Sequence, residues 1–214
     1  MTIGAWPSGK APLFGSGIRR FESSRPQPRE FMTNILEKYT SVYDVFLDSW
    51  DYQSHFVSYL ESLMRQETSL PTYIKEMIFA YVSGLNGCSY CKNIHAEISK
   101  IKLKDIETES YRENIDDSGI EDKYKPILKF AHKVNEDNNS INDEDINEIK
   151  KYQFEDKVIS EVISICAAAQ FMNIVVKSHK IQPLNDTMNI ASAKMMISKG
   201  YDGLADYMIS KRKK

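Results

Sequence analysis

From Met32 to the C-terminus, apolar residues recur three and four positions apart, and no segment alternates as a half-buried strand does. The pattern predicts an all-α fold. Ile35, Leu36, Tyr39, Val42, Tyr43, Phe46 and Leu47 fall at helical spacing, and a second helix is expected over Tyr52 to Met64. Pro71 suits the start of a third, where its missing N–H is harmless. That helix would bury Ile74, Met77, Ile78, Tyr81, Val82 and Leu85 and end at Asn86-Gly87, two residues that tolerate positive φ. A fourth begins around Cys88 and runs toward Lys100.

The pattern weakens between Asp105 and Gly119, which is polar and poorly periodic. Asp122 is placed to cap a helix carrying Tyr124, Ile127, Leu128, Ala131 and Val134. Asn142 is placed to cap another, with Asp145 at its third position. Phe154 to Lys180 is apolar on most sides and predicts a central core helix. Glu161, Gln170 and Asn173 interrupt its apolar run, so no membrane span is assigned. From about residue 184 a C-terminal extension follows, and Thr187 to Ser210 reads as two short helices broken at Gly200. The basic end, Lys211 to Lys214, reads as a frayed tail.

Charge adds exclusions. The 214 residues hold 28 Lys+Arg against 30 Asp+Glu, a net of −2, which argues against a nucleic-acid partner. A hydrophobic content of 42% is enough for one real core, and three cysteines cannot pair into a disulfide framework. A single soluble domain, cytoplasmic and without a membrane partner, is expected. Residues 1–31 stand apart: they hold 4 of the 9 Gly and 4 of the 7 Pro, and no helical period survives them. They carry +3, leaving −5 for the remainder. Trp6 to Ala11 back-translates naturally to a sequence resembling a tRNA-gene D-arm, and Arg20 to Ser23 to one resembling a T-arm, in that order. The expectation is a non-domain leader over 1–31, read from an early start, with Met32 as the true start and 32–214 as the domain.

One constellation carries chemistry. Cys88-Ser89-Tyr90-Cys91 is a C-x-x-C, and His95 follows four residues later. At about 100° per residue, Cys88, Cys91 and His95 share one helix face. The helix's first turn offers unpaired N–H groups and the positive end of its dipole, which favour a thiolate. His95 can take or pass the thiol proton, and the two cysteines can close to a disulfide. Glu76, twelve residues before Cys88, lies off the main apolar stripe of its helix on the side of Phe79, Ala80 and Ser83. A carboxylate shielded there could be the final proton acceptor.

Glu76 with Ser83, Asn86, Cys88, Tyr90, Cys91 and His95 resembles the E-x11-C-x-x-C-x3-H signature of the AhpD-like alkylhydroperoxidases, in the carboxymuconolactone decarboxylase superfamily. The peroxidase-related branch, with C-x-Y-C, is the most similar. Leu70-Pro71, Leu128 to Ala131, Asp145-Ile146 and Phe171 to Asn173 extend the likeness over roughly 50–183. The resemblance implies an all-α, AhpD-like helical bundle, assembled as a homo-oligomer, that reduces a hydroperoxide with a thiol pair. It implies no haem, flavin or metal cofactor, and an external dithiol, from an unidentified thiol reductant protein, to reset the pair. It implies Cys91 as the peroxidatic thiol, Cys88 as the resolving thiol, and His95 with Glu76 as the proton relay. Tyr90 stands where the best-known member has a histidine; with an ordinary pKa of about 10 it is no base near neutrality but can donate a hydrogen bond to a peroxide oxygen.

Other readings of the same residues remain open: a protein disulfide oxidoreductase, and a redox-sensing member of the fold without turnover. Zinc would need a fourth ligand, whereas His55, His132 and His179 stand alone in helical contexts. A thioredoxin-like site would need a strand where Ile74 to Leu85 has helical period. Cys166, among Ala167 to Ala169, reads as core packing.

Overall fold

The computed structural model describes residues 39–100 and 114–212, with the side chains of 211–212 left aside. The leader, Ile35, Leu36, most of the polar stretch after Asp105, and Lys213-Lys214 lie outside the described residues. Within the described residues all regular structure is helical. The elements are α1 (Val42–Asp48), α2 (Trp50–Arg65), α3 (Thr72–Leu85), α4 (Ser89–Lys100), α5 (Lys125–Glu136), α6 (Asp143–Lys150), α7 (Asp156–Ser178) and α8 (Asp186–Arg212). Short 3-10 turns occupy Asp122–Tyr124 and Asn138–Ser140.

Local chemistry sets most boundaries. Asn142 and Asp145 form a reciprocal capping box at the start of α6, as their spacing predicts. Ser41 and Asp44 form another at α1, so Tyr39 and Thr40 stay outside the helix although Tyr39 keeps the helical spacing. Asp122 does not cap α5; it opens a 3-10 turn that runs into the helix, with Pro126 in the helix's first turn where no N–H is needed.

The corner between α3 and α4 positions the two neighbouring cysteines. Gly87 takes φ 66°, its N–H donates to Gly84 O at 3.1 Å, and the Cys88 N–H donates to Ser83 O at 2.8 Å. This is a Schellman ending. The Cys88 carbonyl then accepts from Lys92 N at 2.9 Å and opens α4. Cys88 therefore closes one helix and N-caps the next, with no linker between them to let it move.

The core lies between α3 and α7, where Ile74, Met77, Ile78, Phe79, Ile165 and Ala169 have no measurable exposure. By length and composition α7 is apolar enough to cross a membrane, yet half of its most apolar stretch is buried inside the fold. Its polar residues have partners there: Glu161 pairs with Lys75 at 2.5 Å, and Asn173 donates to Ser83 Oγ at 3.0 Å. The break expected in the C-terminal extension is present: Gly200 sits at φ 72°, ψ −173° inside α8. That conformation is open essentially to glycine alone. Glu61 of α2 accepts from the Tyr201 N–H at 2.6 Å and so caps the second half of α8. A Cβ on Gly200 would overlap the Glu61 carboxylate.

Candidate active site

The α3–α4 corner brings Glu76 to His95 and Cys88 to Cys91, and Cys91 and His95 line one cavity; all four are buried. Glu76 has no exposure, Cys88 and Cys91 are 2% exposed and His95 5%. Glu76 Oε2 lies 2.6 Å from His95 Nδ1, and Glu76 Oε1 accepts from the Arg65 guanidinium at 2.8 Å. The Tyr201 hydroxyl donates to both carboxylate oxygens, at 3.2 and 3.4 Å. A carboxylate paired with arginine can only accept, so Nδ1 of a neutral His95 carries the proton and Nε2 is left as its basic nitrogen. Phe79 stacks on the imidazole with ring centroids 3.8 Å apart, which holds the ring plane. Glu76 thus orients His95.

The thiols behave differently from one another. The sulfur of Cys88 accepts hydrogen bonds from the Cys91 side chain and backbone N–H, feels the Lys177 ammonium, and is hydrogen-bonded by Asn173. These lower its pKa to about 7 against the opposing effect of burial. Cys91, which donates a hydrogen bond to the Cys88 sulfur and is itself desolvated, is pushed well above the ordinary thiol value. The corner therefore lowers Cys88, at the N-cap, and raises Cys91, the sulfur that the family resemblance implies as the peroxidatic thiol. The helix N-terminus favours whichever sulfur caps it. Cys91 instead faces the apolar cavity that His95, Phe79 and Tyr90 also line.

The supporting residues brace this cluster. Ser83 Oγ accepts from Asn173, and Asn86 donates to Asn173 at 3.0 Å and to Asn135 at 3.1 Å. Both hold the amide that reaches the cysteine sulfurs, and neither is required to touch a substrate for that role. Lys177 Nζ is fixed beside them by the Asn86 carbonyl at 2.8 Å. Tyr90 accepts a hydrogen bond from the Val42 backbone, and burial drives its pKa up, so it stays a phenol. Cys166 is fully buried, donates to Ala131 O at 3.7 Å and is pushed up to about 12 by desolvation. His132 is engaged by Tyr81 at 2.9 Å, and that partner is not a residue of the cluster. Among the described residues, no group of three or more His, Cys, Asp or Glu side chains is arranged to hold a metal ion.

Four contributors escaped the sequence pattern: Arg65, Tyr201, Asn173 and Lys177. Arg65 also donates to Met196 O at 3.2 Å and lies 5.1 Å from the Tyr201 ring centroid, so α2 and α8 meet beside Glu76. The Gly200 break was the available signal for Tyr201, because such a break redirects the residue that follows it.

Solved structures share this architecture. A peroxidase-related protein from Ralstonia eutropha, an alkylhydroperoxidase AhpD core, is 23% identical; the match covers 68% of this chain and 78% of that one, with TM-score 0.63. A peroxidase-related protein from a Silicibacter species is 21% identical over 76% of this chain and 89% of that one, with TM-score 0.62. The debrominase Bmp8 is 18% identical over 77% and 90%, with TM-score 0.59, and a Cys→Ala variant of it is known with 2,3,4-tribromopyrrole bound. The chain thus has the fold of the AhpD core and of peroxidase-related proteins, at low sequence identity. No protein-family pattern and no curated protein matches the sequence.

Proposed function

We propose that the protein is a thiol-dependent hydroperoxide reductase. The observation that carries this reading is that Cys91 and His95 line one apolar cavity while the other side of His95 is fixed to a buried, arginine-paired carboxylate. In the first step the Cys91 thiolate attacks the terminal oxygen of ROOH. The O–O bond breaks, a sulfenic acid forms on Cys91, and the leaving alkoxide takes a proton to become ROH. His95, held by Glu76, supplies a site for that proton's exchange. In the second step the Cys88 thiolate attacks the Cys91 sulfur, water leaves, and the Cys88–Cys91 disulfide forms. An external dithiol returns the two electrons.

The lowering of Cys88 fits both halves of this cycle. A Cys91 proton shared with a thiolate neighbour moves easily when Cys91 attacks, and Cys88 is the sulfur that must be anionic to resolve the sulfenic acid. The same lowering is the observation that favours the second reading, a disulfide oxidoreductase attacking through Cys88. Burial opposes it, since a protein disulfide has to reach a sulfur that is 2% exposed. The Bmp8 likeness raises a third activity on the same scaffold, tested by bromide release from 2,3,4-tribromopyrrole.

The deciding experiment adds one equivalent of organic hydroperoxide to the reduced full chain, quenches, and maps the cysteines by mass. Rapid, stoichiometric Cys88–Cys91 disulfide with Cys166 untouched is expected. Thiols that survive the treatment would sink the peroxidase reading.

A further inference from the structure

Cys91 sits at the wall of a cavity far larger than a water-sized oxidant needs. Its volume is about 390 Å³, within the ~300–1,000 Å³ of small-molecule sites and well above the ~30 Å³ share of a water molecule. Five of the lining residues are methionines: Met172 of α7 and Met188, Met195, Met196 and Met208 of α8. Flexible, polarizable thioethers shape themselves to apolar bodies of varied outline. Met188 is 50% exposed and Thr40 and Ala191 are also exposed, so the cavity opens between the start of α1 and the first half of α8. Cys91 and His95 lie on its buried side.

The charges on this lining are one-sided. Among the described residues no lysine or arginine lines the cavity, and its one carboxylate is Asp44. Asp44 is held in place as acceptor for the Thr40 and Ser41 backbone N–H groups, at 3.1 and 2.9 Å. The guanidinium of Arg65, the cation of the relay, is spent on Glu76 and on Met196 O. An anionic ligand would lose hydration on entry and meet a fixed carboxylate with no lysine or arginine of the described lining to answer it. From the reductase reading above, on which this step rests, we infer that the substrate is an uncharged hydroperoxide with a bulky apolar body, and that the cavity rejects peroxides bearing a carboxylate.

A matched pair of probes tests this apart from turnover. Cumyl alcohol and the same molecule with a para carboxylate are titrated against the full-length Cys91→Ser variant by calorimetry. The neutral alcohol is expected to bind about tenfold or more tightly than the acid, and Asp44→Asn, which keeps an acceptor for Thr40 and Ser41, is expected to narrow the gap. Ala191→Trp at the mouth should weaken the alcohol without changing the melting temperature by more than a few degrees. Equal binding of the two probes, or no binding of the alcohol, overturns the inference. With the parent chain, cumene hydroperoxide should outrun both its para-carboxylate and hydrogen peroxide in forming the disulfide; equal rates overturn it as well. If cumyl alcohol binds with the expected preference while the parent thiols resist cumene hydroperoxide, the cavity assignment stands and the reductase reading falls.

Discussion

Lys75 and Glu76 are neighbours on α3, both charged and both without exposure, yet they do opposite work. Lys75 turns toward Glu161 at 2.5 Å and toward the carbonyls of Gln66 at 2.7 Å and Leu63 at 3.2 Å. Every donor of the ammonium is used, and the partners are backbone and a carboxylate that Thr68 also holds at 2.9 Å. The arrangement clamps the loop between α2 and α3 onto α7, and it ends there. Glu76 is equally saturated, by Arg65, Tyr201 and His95, but one of its partners is a ring with a second nitrogen, on the wall of a cavity. Buried charge alone therefore does not mark a functional site. It does so where the chain of partners leads to a group that can still change its protonation state next to space for a substrate.

The sharpest way to break this comparison is to disable each side in turn and read both activity and stability. Cys91→Ser should reduce hydroperoxide-driven disulfide formation to background while the melting temperature stays put. Glu76→Gln should slow thiol loss about 10²–10⁴-fold, the range of a positioned acid–base group. A variant with the parent's rate would remove Glu76 from the relay. Lys75→Met should do the reverse. It leaves Glu161 buried without its cation, which costs about 3–5 kcal/mol, with the Thr68 hydroxyl placing the effect at the lower end. The rate per folded molecule should be unchanged. Adding Glu161→Leu to Lys75→Met should recover most of that stability, since it removes the stranded charge. A double variant no more stable than the single would show that the clamp is not a simple pair.

How much of the molecule was legible in the sequence depended on distance along the chain. The helices, the Asn142 box, the Gly87 ending and the Gly200 break are written in residues within a turn of one another, and they are where the pattern put them. So is the Glu76–His95 contact, because the two lie on two consecutive helices joined by a fixed corner. Arg65 and Tyr201 reach Glu76 across sequence separations of 11 and 125, through packing of α2 on α3 and of α8 on α2 and α4. No local period announces that. The position of the charge within the pair was also hidden. A C-x-x-C on a helix leaves both sulfurs near the N-terminus, and only the Schellman corner shows that Cys88 is the N-cap. The start of α1 was obscured for the opposite reason: helical spacing continued past Ser41, but a capping box overrode it.

The contact of α8 with Glu76 can be sharpened next. Tyr201→Phe keeps the ring beside Arg65 and removes the hydroxyl that donates to Glu76. Losing one such bond should cost about 1.4 kcal/mol in the barrier, about tenfold in the rate of thiol loss, with KM for the hydroperoxide little changed. A nitrogen NMR signature of the His95 tautomer should shift in the same variant; an unchanged signature and rate would leave Tyr201 as packing only. Gly200→Ala should cost about 1–3 kcal/mol from its backbone conformation and lower the rate by displacing Glu61 and, with it, Tyr201. Restoring the rate in Gly200→Ala by a second change at Glu61 would separate the two causes.

The smallest effects expected are those of pH, and they contrast two cysteines of the same chain. Hydrogen bonding from Cys91, with Lys177 and Asn173, holds Cys88 at about 7, below its ordinary value of 9.0. The depressed group stabilises the fold where it is charged: the contribution is complete above about pH 9 and is lost as pH falls through 7. Cys166 is raised to about 12 by burial, so its contribution is complete below its ordinary value and is lost as pH rises toward 12. Iodoacetamide labelling of the reduced full chain should therefore reach half its maximal rate at Cys88 near pH 7, with Cys166 still unmodified. Between pH 9 and 6 the urea midpoint of the parent should fall relative to that of Cys88→Ser, which lacks the titrating sulfur. If labelling at pH 7 instead appears first on Cys91, the charge sits on the sulfur that faces the cavity. The corner would then act as a scaffold rather than as the source of the thiolate.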